Sequence, residues 1–236
     1  MDFAGRSVVL TGVGREGQVG EAVATAFAER GARVCLVDRQ ENEARARAES
    51  LVKAGRRAAG LGADLTDEAA VAALAERVRD ATGGRVYGLV HLAGGFTKSG
   101  PVAESDAALW SRQFLLNATT AFLTARAFMP MLRTAKGAIV FFASEAILPG
   151  GRTAGLSAYA ASKSALVALM QSISQEEAAR GVRANALAPT SIRTAANVAA
   201  MGADAHYVSR EDVAKVVLWL CSEDARAVTG QVVPVR

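Results

Sequence analysis

Ser7-Val8-Val9-Leu10-Thr11-Gly12-Val13-Gly14-Arg15-Glu16-Gly17-Gln18-Val19-Gly20 joins a short apolar run, a glycine-rich turn and the start of a helical pattern. The run is continuously apolar at Val8-Val9-Leu10, as in a strand covered on both faces. Glycines in such a turn let the backbone approach a pyrophosphate, and the helix N-terminus behind them favours its negative charge. A bare strand-to-helix connection has the same composition, so the meaning of the turn depends on the rest of the chain.

The alternation repeats outward from there. Strand-like runs follow at 33–37, 58–62, 88–92, 138–142, 183–188 and 231–234, with amphipathic stretches at 20–30, 41–54, 67–80, 107–132, 158–180 and 210–222. Gly31, Gly55, Gly83 and Gly181 stand just past helical stretches, where helices close. Asp67 and Ser209 stand at helix starts. This order predicts an α/β fold: a Rossmann-type, doubly wound parallel sheet of about seven strands with helices on both faces. Right-handed crossovers then collect the carboxyl ends of the strands on one edge, where ligands bind. No linker, repeat or low-complexity tract interrupts the pattern, so one domain over 1–236 is expected.

Composition narrows the function. About half of the 236 residues are hydrophobic, enough for a large core. No apolar run approaches the roughly 18 residues that cross a bilayer, and the N-terminal residues lack a secretory pattern. A cytoplasmic protein without membrane partners is expected. Cys35 and Cys221 lie inside apolar segments and read as core residues, and no Cys/His cluster calls for a metal. The net charge of +4 is dispersed: Arg45, Arg47, Lys53, Arg56 and Arg57 alternate with Glu43 and Glu49. That pattern reads as a solvated helix face, not a nucleic-acid footprint.

Several polar residues stand where chemistry would need them. Asp38 ends the second strand, where a carboxylate accepts from ribose hydroxyls and repels a 2′-phosphate. Arg39 and Arg15 lie close enough in sequence to pair with such a phosphate instead. Asp64-Leu65 follow the third strand and are placed to line an adenine, or to start a helix. Tyr159 and Lys163 are four apart on a helical stretch, so they share a face. A phenol is a poor base near neutrality, and an adjacent ammonium lowers its pKa. Ser144 follows the apolar strand at 138–142 and can donate to a carbonyl oxygen, or cap local backbone. Asn117 lies in an apolar helix, where a buried amide needs partners.

Taken in order, Thr11-Gly12 to Gly20, Asp38, Asp64, Ala93-Gly94, Asn117, Ser144, Tyr159-x-x-x-Lys163, Pro189 to Thr194 and Thr229-Gly230-Gln231 resemble short-chain dehydrogenases/reductases. The resemblance spans nearly the whole chain. It implies an NAD(P)-dependent oxidoreductase that moves a hydride between nicotinamide and a carbonyl or secondary alcohol. Tyr159 would be the general acid/base, Lys163 the ribose ligand that lowers its pKa, and Ser144 the group polarising the carbonyl. Asn117 would hold a water in a proton relay behind Lys163. Cofactor contacts would come from Gly12, Gly14, Gly17, Val19, Gly20, Asp38, Arg39, Asp64, Leu65, Ala93, Gly94, Tyr159, Lys163, Pro189, Thr190, Ile192 and Thr194. Asp38 favours NAD(H) and the arginines leave NADP(H) open. Relatives usually assemble as homotetramers or homodimers through helices corresponding to 107–132 and 158–180.

Four departures from the family pattern stand out. The glycine loop between Gly12 and Gly20 is two residues longer than usual, with Gly17 as the stand-in for the middle glycine. The usual Asn-Asn-Ala-Gly reads His91-Leu92-Ala93-Gly94, where His91 replaces a lost hydrogen bond. Pro149-Gly150-Gly151 lengthens the segment between Ser144 and Tyr159 by two residues. The substrate loop at 195–209 is short, with His206 and Tyr207 as candidate substrate contacts. These departures keep a second reading open, a catalytically weak cofactor-binding regulator or scaffold on the same fold.

Overall fold

The computed structural model describes residues 1–236. Its strands are β1 (Ser7–Thr11), β2 (Arg33–Asp38), β3 (Arg57–Gly62), β4 (Gly88–His91), β5 (Ala138–Phe142), β6 (Arg183–Pro189) and β7 (Val232–Val235). All seven form one parallel sheet in the order β3-β2-β1-β4-β5-β6-β7. Val9 of β1 aligns with Cys35 on one side and Leu89 on the other. The expected doubly wound α/β class is the observed one, with strand ends displaced by a residue or so.

The helices are α1 (Val19–Glu29), α2 (Glu41–Lys53), α3 (Glu68–Thr82), α4 (Ala107–Phe114), α5 (Thr120–Ala135), α6 (Ser157–Glu176), α7 (Ala195–Met201) and α8 (Arg210–Cys221). Successive strand residues point to opposite faces, and the core divides accordingly. Val8, Leu10, Val34 and Leu36 pack with Val23 and Phe27 of α1, Leu51 of α2 and Val217 of α8. Val9, Cys35, Leu89 and Ile139 pack with Leu74 of α3, Phe128 of α5 and Leu166 of α6. Asp67 caps α3 by accepting from Ala69 and Ala70, and Ser209 caps α8 by accepting from Asp212.

Two elements differ from the sequence expectation. The helix expected over 107–132 is α4 and α5 joined through a wide π-turn, Leu115–Thr119, which places Asn117 fully inside. The 195–209 stretch contains a helix, α7, started by Thr194, whose hydroxyl accepts from Asn197 at 3.2 Å. No helix is long and apolar enough to cross a membrane. Thr11, Asp38, His91, Phe142 and Pro189 end their strands on one sheet edge, and the strand order reverses between β1 and β4. A crevice opens at such a reversal.

Candidate active site

A cleft of about 970 Å³ occupies that edge. Tyr159 and Lys163 of α6, Ser144 past β5, Gly94 past β4, and Pro189, Thr190, Ile192 and Thr194 past β6 all line it. Val19 reaches it from the first turn of α1. The sequence therefore brought together residues up to 175 positions apart, from Val19 to Thr194.

The Tyr159 phenol stands edge-on to Phe96, with ring centroids 5.0 Å apart. Burial pushes its pKa up, and the Ser144 hydroxyl beside it pulls back. Ser144 accepts from the Ala146 amide at 3.2 Å, so it caps local backbone through its oxygen and keeps its hydrogen free to donate. Lys163 is almost fully buried and donates to the Phe142 carbonyl at 2.7 Å. Burial draws its pKa down to about 8. Its Nζ lies 5.9 Å from the Tyr159 ring centroid. The ammonium expected to depress the phenol is thus turned toward a strand carbonyl, and burial governs Tyr159 instead.

Asn117 has its polar atoms engaged with protein. Its Oδ1 accepts from the Gly95 amide at 2.9 Å, while Nδ2 donates to the Gly95 carbonyl and to Ser162, both at 3.0 Å. The side chain therefore clamps the Gly94-Gly95 segment against α6. A Cβ on Gly94 would lie 2.6 Å from Asn117 Oδ1, so only glycine fits there.

His91 performs the substitution its position promised. Its Nδ1 is 2.9 Å from the Thr11 hydroxyl and its Nε2 is 3.3 Å from that of Thr120, bridging β1 to α5. Burial, then the charge of Lys163, lowers its pKa to about 3. The folded value lies below the ordinary 6.5, so an unfolded chain takes up a proton that the folded chain refuses, and stability falls as pH drops from 6.5 toward 3. Replacing His91 with Gln is expected to remove about 3 kcal/mol of stability loss between pH 6.5 and about 4. Urea unfolding at both pH values checks this; an unchanged acid slope would reject it.

In the glycine loop, Gly12 has φ +70° and a Cβ there would meet the Ala93 backbone at 2.5 Å. Gly20 is excluded from any side chain by the Val13 carbonyl, 2.3 Å from a built Cβ. Asp38 accepts from the Gly14 amide at 2.9 Å and the Gln40 amide at 3.0 Å, tying loop to strand end. Arg39 is exposed beside it. Like Gly12, Gly14, Gly17, Gly20, Asp38, Arg39 and Ala93, Asp64 and Leu65 do not line this cleft. Thr66 closes a turn on the Asp64 carboxyl and holds it below the usual carboxylate range, while Leu65 is buried in the α3 side of the core.

His206 and Tyr207 do not line the cleft either. His206 is exposed, and the Tyr207 hydroxyl faces the Asn197 and Gly202 carbonyls, latching the ends of α7. Other wall residues carried no motif: Gln18, Phe96, Glu145, Arg152, Asn197, Met201 and Arg236. Glu145 and Arg236 pair at 2.8 Å, joining the segment after Ser144 to the end of β7.

These residues fit a dinucleotide. The N-cap of α1, Gln18, makes no side-chain cap bond, which leaves the first-turn amides of α1 without a side-chain acceptor. Asp38 ends β2 and accepts from Gly14 of that loop, while Lys163 and Tyr159 of α6 line the cleft.

Known proteins agree. The family described as Enoyl-(Acyl carrier protein) reductase matches residues 12–236. The chain is 35% identical to 2-(S)-hydroxypropyl-CoM dehydrogenase 3 of Xanthobacter autotrophicus, over 94% of this chain and 92% of that protein. It is also 35% identical to cis-4-hydroxycyclohexanecarboxylate dehydrogenase of Sinomonas cyclohexanicum, over 99% and 96%. A short-chain type dehydrogenase/reductase from Mycobacterium ulcerans superposes with TM-score 0.90 at 31% identity, over 100% of this chain and 90% of that one. The chain belongs to the short-chain dehydrogenase/reductase family, the oxidoreductases that act on CH–OH or C=O groups with a nicotinamide cofactor.

Proposed function

We propose that residues 1–236 act as one NAD(H)-favouring unit that interconverts a small-molecule carbonyl and its secondary alcohol, with Tyr159 as general acid/base. The observation that carries this reading is that Ser144, Tyr159 and Lys163 line one cleft together with Gln18 and Val19 at the start of α1. When bound, the nicotinamide cofactor supplies or accepts the hydride. Ser144 donates to the carbonyl oxygen, and Tyr159 gives that oxygen its proton in reduction or removes it in oxidation. Lys163 holds the ribose end, and Asn117 keeps Gly94-Gly95 and α6 in register around it. Exposed Trp110, Leu115 and Phe122 on the α4–α5 side support assembly into homodimers or homotetramers.

Asp38 at the end of β2 supports NAD(H), because a carboxylate there would repel a 2′-phosphate, a repulsion that exposed Arg39 beside it would offset in part. Purified protein is to be titrated with NADH and NADPH by fluorescence, then assayed for reduced-cofactor oxidation against ketones, 3-oxoacyl thioesters and keto acids. Asp38→Ala is expected to improve NADPH affinity relative to NADH about tenfold. An unchanged ratio would reject Asp38 as the selector.

A second reading, cofactor binding with little turnover, draws on one observation: burial keeps the Tyr159 phenol above its ordinary pKa while the Lys163 ammonium is bonded to the Phe142 carbonyl. A relative named inactive 2-(S)-hydroxypropyl-CoM dehydrogenase 2 is 34% identical over 88% of this chain. Turnover in the screen above that of Tyr159→Phe rejects this second reading.

A further inference from the structure

Two glycines of the lengthened loop keep their amides from the cleft. Gly14 donates to Asp38, and Gly17 donates to Glu21 Oε2 at 2.7 Å. The Gln18 amide is taken by the Arg15 carbonyl at 3.2 Å. An anion is left with the first-turn amides of α1, beside Gln18 and Val19 on the cleft wall. Glu21 belongs to that same first turn, and an uncompensated carboxylate there would repel a diphosphate.

Two guanidinium groups from distant parts of the chain converge on it. Arg47 Nη1 of α2 lies 3.8 Å from Glu21 Oε1, and Arg210 Nη1 of α8 lies 3.9 Å from Oε2. Arg47 is mostly buried, and its Nε and Nη1 have no hydrogen-bond partner. Its other acidic neighbour is Glu16 of the loop, at 4.0 Å. An arginine buried without hydrogen bonds acts there through its charge alone.

We propose that Glu21, flanked by Arg47 and Arg210, is the positioning residue of this cofactor loop. Its carboxylate fixes Gly17, and through it Gln18-Val19, while the two arginines, shared with Glu16 at 4.0 Å and Glu211 at 3.6 Å, offset part of the charge that would repel the diphosphate of NAD(P). Arg210 opens α8 directly after the 195–209 stretch, so the same carboxylate ties the cofactor loop to the root of the substrate loop. The inference rests on the cofactor reading above.

The test is a double-mutant cycle on the full chain, read as the NADH dissociation constant by fluorescence and as KM and kcat. Arg47→Met is expected to weaken NADH about tenfold. Glu21→Gln keeps an acceptor for Gly17 and removes the charge; in that background Arg47→Met is expected to change affinity by less than about twofold. Glu21→Ala, which loses the acceptor, is expected to raise KM for NADH about tenfold with little change in kcat. Arg210→Gln repeats the cycle should Arg47→Met fail to fold. Equal weakening by the arginine substitutions in both backgrounds, or no weakening in an otherwise NADH-binding protein, overturns the proposal. A wild-type protein that binds neither NADH nor NADPH overturns the cofactor reading itself.

Discussion

Tyr159→Phe is expected to lower kcat about 10³-fold while NADH affinity stays within about twofold of wild type. The substitution removes only the hydroxyl. The ring remains, and with it the edge-on contact to Phe96 and the packing at the start of α6. What disappears is the proton that a reduced carbonyl oxygen requires. The same phenol fixes the pH dependence. Burial raises its pKa, so the rate of alcohol oxidation should climb with pH through the alkaline range, and ketone reduction should fall there. Initial rates in both directions between pH 6 and pH 10 check both statements. A phenylalanine variant retaining more than about a tenth of wild-type kcat would remove Tyr159 from the chemistry.

Lys163→Met carries the second large effect, and it has two opposite signs. Activity should fall at least about a hundredfold, because the ammonium that would hold the ribose beside Tyr159 is gone. Stability should rise. The folded pKa of about 8 lies below the ordinary 10.5, so the unfolded chain binds a proton between these values that the folded chain has released. Wild-type stability therefore climbs with pH across that window, and below about pH 8 the full penalty of the buried ammonium is present. That penalty corresponds to about 3 kcal/mol, from which the lost bond to the Phe142 carbonyl subtracts about 1 kcal/mol. A net gain of about 2 kcal/mol at pH 7 is expected, shrinking toward zero by about pH 10.5 as the Lys163 contribution to the wild-type rise disappears from the difference between the two proteins. Denaturant titrations at three pH values suffice. A methionine variant less stable than wild type at pH 7 would show that Lys163 supports the fold instead of burdening it.

The sheet was legible because its signals are local and repeated. Val8-Val9-Leu10 and Ile139-Val140-Phe141-Phe142 declare buried strands on their own, and Asp67 and Ser209 declare helix starts. That Ser144, Tyr159 and Lys163 come together in one cleft was legible because their order is a motif. Other features depend on contacts that sequence spacing does not encode. The π-turn at Leu115–Thr119 hides inside an unbroken apolar pattern, since one added residue in a helical turn leaves composition unchanged. Asp64 and Tyr207 stand at positions where ligand contacts are expected, and sequence spacing does not show that Thr66 bonds the one and that the Asn197 and Gly202 carbonyls face the other. Glu21 looked like an ordinary first-turn acid, because Arg47 and Arg210 reach it from α2 and α8. Gly17 stood out as a loop glycine without revealing that its amide turns inward to that carboxylate.

The strand order also has a consequence for how the chain assembles. β1, β2 and β3 lie side by side in reverse sequence order and can collect as soon as residues 7–62 are available. Nothing comparable holds for the other side of β1, whose Val8–Thr11 segment waits for Gly88–His91. Pairing across such a separation is slow, and an open strand edge in the interval is a template for wrong partners. The cleft draws Gln18 and Val19 from beyond β1 and its other walls from beyond β4, β5 and β6. A nascent chain thus has no such cleft until its two halves meet.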